Sequence, residues 1–155
     1  MSFSIRNRLA VVAALLGCLG AAASTPSPAD AAEQAFDATA SVRLVPGKGA
    51  TLIQRGTFSG TPVGRGKIRL RTRLGQGDGA TFSFVMRTRR GTLHGSGSVA
   101  LDFRTETVVY NGSADITHGG GAFSGNRARG LRVSGNGPLH GDKGFILRLS
   151  GRLAG

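Results

Sequence analysis

Beyond residue 35 the apolar positions recur at every second residue, and no window carries the three-and-four spacing of an amphipathic helix. In KIRLRTRL (67–74), Ile68, Leu70 and Leu74 share one face, and Lys67, Arg69, Arg71 and Arg73 share the other. The closing GFILRLSGRL repeats the arrangement, with Phe145, Leu147, Leu149 and Leu153 set against Arg148, Ser150 and Arg152. Between them, ATFSFVMRT offers Phe82, Phe84 and Met86, and SVALDF offers Val99, Leu101 and Phe103. Such alternation predicts half-buried antiparallel strands, apolar inward and polar outward.

Turn residues punctuate the pattern. Asn111-Gly112 separates ETVVY from SADIT and predicts a tight hairpin; Asp78-Gly79, Asn136-Gly137 and Pro46-Gly47 predict further turns. Strands are expected near 36–45, 50–58, 64–74, 80–88, 92–103, 105–111, 113–118, 128–135 and 143–153. Eight or nine short strands without a helix imply an all-β fold, and a single closed antiparallel barrel of about eight strands leaves no exposed edge. Two short phrases recur, GTFSG (56–60) with GAFSG (121–125), and GTLHG (91–95) with GPLHG (137–141). They read as corners of one barrel, where glycines bend the chain and a Phe plugs the interior.

The first 31 residues change the picture of location. Arg6 and Arg8 precede the apolar LAVVAALLGCLGAAA, and small-residue cleavage sites end at Ala23 and Ala31. This is the layout of a signal peptide (1–31), with residues 32–155 as one secreted barrel domain. LLGC at 15–18 admits a second reading, a lipoprotein anchored at Cys18. Cys18 is the single cysteine, so a chain cleaved after Ala31 has no disulfide, thiolate nucleophile or cysteine metal site. Without Arg6, Arg8 and Asp30, 18 basic residues face 7 acidic ones, a charge of +11. That field attracts anionic partners, though the mature chain has no Trp and one Tyr for stacking on nucleic-acid bases, so nucleic acid is not the expected partner.

The segment ITHGGGAFSGNRARGLRVSG (116–135) resembles the strand–turn–strand signature of allene oxide cyclase and dirigent-like barrels and of their secreted bacterial relatives. Gly119, Gly121, Phe123, Gly125 and Gly130 stand at the matching places, while His118 and Gly120 depart from the pattern. The likeness extends over about residues 50–153. It implies an eight-stranded antiparallel barrel whose apolar lumen holds a small hydrophobic molecule. No catalytic carboxylate of those enzymes has a counterpart here that can be placed residue by residue.

Catalytic chemistry has few candidates. Ser59 and Ser124 lie in F-S-G, outside any G-x-S-x-G elbow, and GTPVGRGKI has the wrong spacing for a phosphate loop. His94, His118 and His140 each precede glycine, and two belong to the repeated L-H-G corners, so no metal site or cofactor is expected. Alternation points Asp37 and Asp102 outward. Glu106, Tyr110 and Asp115 are the remaining candidates for acid–base catalysis. The expected lumen residues are Phe82, Phe84, Met86, Leu101, Phe103, Leu147 and Leu149. Three functions remain open: a binding or accessory protein for a small hydrophobic ligand, an isomerase or cyclase in the same lumen, and an envelope protein whose basic face binds an anionic polymer or lipid. The Arg-rich faces also read as a solvated exterior whose charges protect strand edges.

Overall fold

The computed structural model describes residues 33–45, 51–139 and 144–155. The expected signal peptide with Cys18, the Pro46-Gly47 turn and His140 lie outside them. Eight strands follow one another: β1 (Gln34–Val45), β2 (Thr51–Thr61), β3 (Gly64–Leu74), β4 (Gly79–Arg87), β5 (Gly91–Phe103), β6 (Thr107–Gly121), β7 (Ala128–Pro138) and β8 (Phe145–Leu153). Each pairs antiparallel with the next, and β8 returns to β1 in register from Gln34↔Leu153 to Val42↔Phe145. The sheet is therefore one closed up-and-down barrel. Asp37 and Arg148 form a two-pronged ion pair across that closing seam, and the hydrogen bonds from Arg148 hold the Asp37 carboxyl below its usual range.

The inward set is apolar. Phe36, Ile68, Phe84, Met86, Leu93, Ile116, Leu131, Val133 and Leu149 are each at most 2% exposed, and no polar or charged residue is buried among the described residues. Charges occupy the outside, the reverse of a membrane barrel, which carries its apolar band outward. Five interior rings face a glycine directly across the sheet: Phe36↔Gly151, Phe58↔Gly66, Phe82↔Gly97, Phe84↔Gly95 and Tyr110↔Gly135. At Gly66, Gly95 and Gly135 an added Cβ would run into the facing ring itself, and into the backbone of the next strand as well. Glycine there is a requirement for space.

Two expected hairpins are absent. Asn111-Gly112 lies inside β6, paired to Ala100 and Val99 on one side and to Ser134 and Val133 on the other, so the segments expected at 105–111 and 113–118 form one strand. Asn136-Gly137 likewise belongs to β7, opposite Val109 and Val108. Pairing on both edges outweighs the local preference of Asn-Gly for a turn, and the buried residues Val108, Tyr110, Ala114 and Ile116 keep one face of the strand on either side of it. Asp78-Gly79 does mark a turn, closed by the Gly75 N–H donating to the Gly79 carbonyl at 2.8 Å. The turn after β6 is residues 122–127, which contains the second F-S-G. The first F-S-G is not itself a turn: it lies in the last residues of β2, before the 62–63 turn, where Gly56 and Gly60 pass too close to β1 for any side chain. In both phrases the Phe is buried, Phe58 at 3% and Phe123 at 4%.

Substituting Gly95→Ala forces a methyl group against Phe84 and the Asp115 carbonyl, an overpacking expected to destabilise the fold by about 1–3 kcal/mol or more in urea unfolding. Gly79→Ala, where nothing lies within 4 Å, is expected to stay within about 0.5 kcal/mol of the parent.

Candidate functional site

The two ends of the barrel differ. Where β1 begins and the 62–63, 88–90 and 122–127 turns lie, Phe36, Phe58, Val63, Met86, Leu93, Phe123 and Leu153 are all at most 4% exposed and seal the interior. At the other end, the strand termini at Val45, Leu74, Phe103, Pro138 and Phe145 surround an apolar cup of about 230 Å³. Its floor and walls include Val42, Leu70, Ala80, Phe82, Val99, Val108, Tyr110 and Leu147, and its upper wall includes Leu52, Leu101, Leu139 and Phe145. Leu74 and Phe103 complete its rim at 57% and 55% exposure, and Leu44 stands exposed at the same end. These three follow the inward alternation of their strands, yet each is more than half exposed among the described residues.

Polar groups in the cup are few and engaged. The Thr72 hydroxyl donates to Gln54 Oε1 at 3.2 Å, joining β3 to β2 within the wall. The Tyr110 hydroxyl donates to the Ile146 carbonyl oxygen on β8, reaching across the sheet past Gly135. Burial pushes the Tyr110 phenol above its ordinary range, because the phenolate would be stranded in an apolar setting. Among the described residues, no carboxylate, histidine, lysine or arginine lines the cup.

The seven expected lumen residues divide between the two halves. Phe82, Leu101, Phe103 and Leu147 line the cup; Phe84, Met86 and Leu149 lie outside its lining in the packed half, each 1% exposed. The alternation that placed them inward gives no information on depth along the barrel axis. Leu70 and Val99, inward by the alternation, also line the cup, together with Val42 and Val108, which the sequence pattern had not singled out.

The three expected catalytic candidates are not brought together. Tyr110 faces inward, Glu106 sits exposed in the turn between β5 and β6, and Asp115 points outward from β6. Asp115 has a structural partner: its Oδ1 accepts the Gly130 N–H at 2.7 Å. There the β6–β7 register slips between Ala114 and Ile116, and Gly130 takes a left-handed φ of 61°. The carboxylate satisfies a donor that the bulge withdraws from the ladder. His94 and His118 stack outside the barrel, ring centroids 4.2 Å apart and planes within 14°. Desolvation, then His118 and Arg87, hold the His94 imidazole below its ordinary range. Among the described residues no group of three His, Cys, Asp or Glu is placed to hold a metal.

Tyr110 gives the site a pH signature. A phenol with a raised folded-state pKa stabilises the fold fully below its unfolded value of about 10, and that contribution is lost as pH rises beyond it. The melting temperature of the parent is expected to fall between about pH 9 and 12. Tyr110→Phe is expected to flatten that fall and to lose about 1 kcal/mol at neutral pH with the hydrogen bond. As the chain's one tyrosine, it can be titrated directly by phenolate absorbance. Comparison with protein-family models, curated proteins and solved structures returned no match for this chain.

Proposed function

We propose that this barrel is a binding protein for a small apolar molecule, or for one end of a longer apolar chain, held in the cup at its open end. The observation that carries the reading is the rim: Leu74 and Phe103, both more than half exposed, continue a mostly apolar lining down to Phe82 and Leu147. Exposed large apolar side chains gathered round a concave opening mark a binding surface, whereas scattered ones carry no meaning. The volume, about 230 Å³, lies below the roughly 300–1,000 Å³ usual for drug-sized ligands, so the occupant is compact or leaves part of itself outside. Binding is favoured over turnover because the cup's two hydroxyls are spent on the wall and, among the described residues, no acid, base or cationic side chain lines it. The reading agrees with the resemblance of residues 116–135 to lumen-binding barrels of the allene oxide cyclase and dirigent type.

A neutral fluorescent probe, N-phenyl-1-naphthylamine, separates the apolar cup from the charged exterior. Saturable binding with enhanced emission is expected. Val99→Phe fills the cup from its half-buried wall and is expected to weaken binding at least tenfold while the melting temperature stays near that of the parent. Binding that is unsaturable, or unchanged by Val99→Phe, overturns the assignment.

A further inference from the structure

On β3 every second residue from 65 to 73 is basic: Arg65, Lys67, Arg69, Arg71 and Arg73, all exposed, on a strand whose intervening Ile68 and Leu70 are buried. At two residues per step the cations stand about 6.7 Å apart along one straight strand. The neighbouring strands add to the charge where they might have cancelled it. Arg69 lies directly opposite Arg55 on β2, Arg55 opposite Arg43 on β1, and Lys67 opposite Arg87 on β4. Like charges facing each other across a sheet are destabilising. The ion pairs among the described residues, Arg104–Asp102, Arg148–Asp37 and Arg152–Glu33, all lie elsewhere.

Edge protection cannot account for the ladder. The barrel is closed, and β3 is hydrogen-bonded on both sides, so it has no edge to defend. The fold therefore carries a locally unfavourable arrangement that its architecture does not need, the kind of conflict expected at a functional surface. The ladder also borders two outer grooves. Arg55, Lys67, Arg69 and Arg87 line one of about 370 Å³. Arg71 and Arg73 flank the other, of about 570 Å³, whose floor is the hydroxyl-bearing outer face of β4 and β5: Thr81, Ser83, Ser96 and Ser98. Asp115 stands at its far side, engaged by the Gly130 N–H.

We propose that this face binds a linear polyanion, a soluble chain with regularly spaced phosphate or carboxylate groups, laid along β3. Guanidinium forks match either anion, and the adjoining hydroxyls donate to remaining oxygens. The exposed large apolar residues, Leu44, Leu74, Phe103 and Ile146, are absent from the ladder's outward positions. The apolar residues facing it across the sheet, Ile53 opposite Arg71 and Val85 opposite Arg69, are half-buried, whereas a surface that settles on a bilayer sets exposed apolar residues among its basic ones. No Phe or Tyr stands among those positions either, which removes the stacking platform of a single-strand nucleic-acid binder.

The test is fluorescence anisotropy with labelled inorganic polyphosphate and, separately, labelled polygalacturonate, which distinguish phosphate from carboxylate. With about five cations engaged, log K is expected to fall against log salt with a slope near −3.5. Arg69→Gln/Arg71→Gln/Arg73→Gln is expected to lower affinity at least tenfold at about 50 mM salt and to flatten the slope by about 2. Its melting temperature is expected to equal or exceed the parent's. Arg127→Gln/Arg129→Gln/Arg132→Gln removes the same charge from the β7 side and is expected to leave binding unchanged. In the parent protein, bound chain is expected to shield Arg69, Arg71 and Arg73 from phenylglyoxal. Equal losses in the two triple variants overturn the proposal, as does no binding of either chain. So does preference for phosphatidylglycerol vesicles at matched phosphate, or tenfold tighter binding of oligothymidylate than of polyphosphate. Each readout is independent of the cup, so its failure leaves the neutral-probe result standing.

Discussion

Room inside the barrel is the constraint on which the rest of this structure depends. Eight strands enclose a space just wide enough for side chains, or for side chains and one small ligand. Five large rings fit because each points at a position with no side chain, from Phe36 over Gly151 to Tyr110 over Gly135. Closure follows from the same fact. Without the glycines, the strands carrying the rings would be pushed apart, and β8 could not return to β1 in register. The glycine-rich composition, 26 residues in the chain, is thus partly the complement of its aromatic residues.

The cup arises where the dense packing of the lower half stops, although two of the ring-and-glycine pairs, Phe82 with Gly97 and Tyr110 with Gly135, belong to its wall. In the lower half Phe58, Phe84 and Phe36, joined by Val63 and Phe123 from the turns, leave no gap. Higher up, Leu101, Val99, Leu70 and Leu74 share the inward positions with Phe82, Tyr110, Phe103 and Phe145, and together they surround a cavity of about 230 Å³. That inward-directed apolar surface is the one on which the proposed binding rests. Tyr110 sits at the junction, tied by its hydroxyl to β8, and it fixes where packing ends and the cavity starts.

The exterior obeys different rules, because water rather than space is its limit. Asp37–Arg148 bridges the closing seam, and Asp115 occupies the donor that the β6–β7 bulge leaves free. A carboxylate with uncertain facing in the sequence turns out to be a bulge cap. His94 and His118 meet because a slip in the β5–β6 register places them side by side, which no spacing along the chain could have indicated.

Strand identity and facing were set by the chain itself. Alternation placed Ile68, Phe84, Leu147 and their neighbours inward and the arginines of β3 outward, since a pleated strand sends successive side chains to opposite faces whatever it pairs with. The all-β class and closure followed from many short strands with edges to hide. Tertiary structure alone decided the rest. Asn111-Gly112 and Asn136-Gly137 carry turn chemistry yet run through strands, because pairing on two sides is stronger than a local dihedral preference. It also decided that Phe84 lies in a sealed plug and Phe103 on an open rim, although both read inward. Depth along a barrel axis depends on register between strands distant in sequence, and periodicity within one strand holds no record of it.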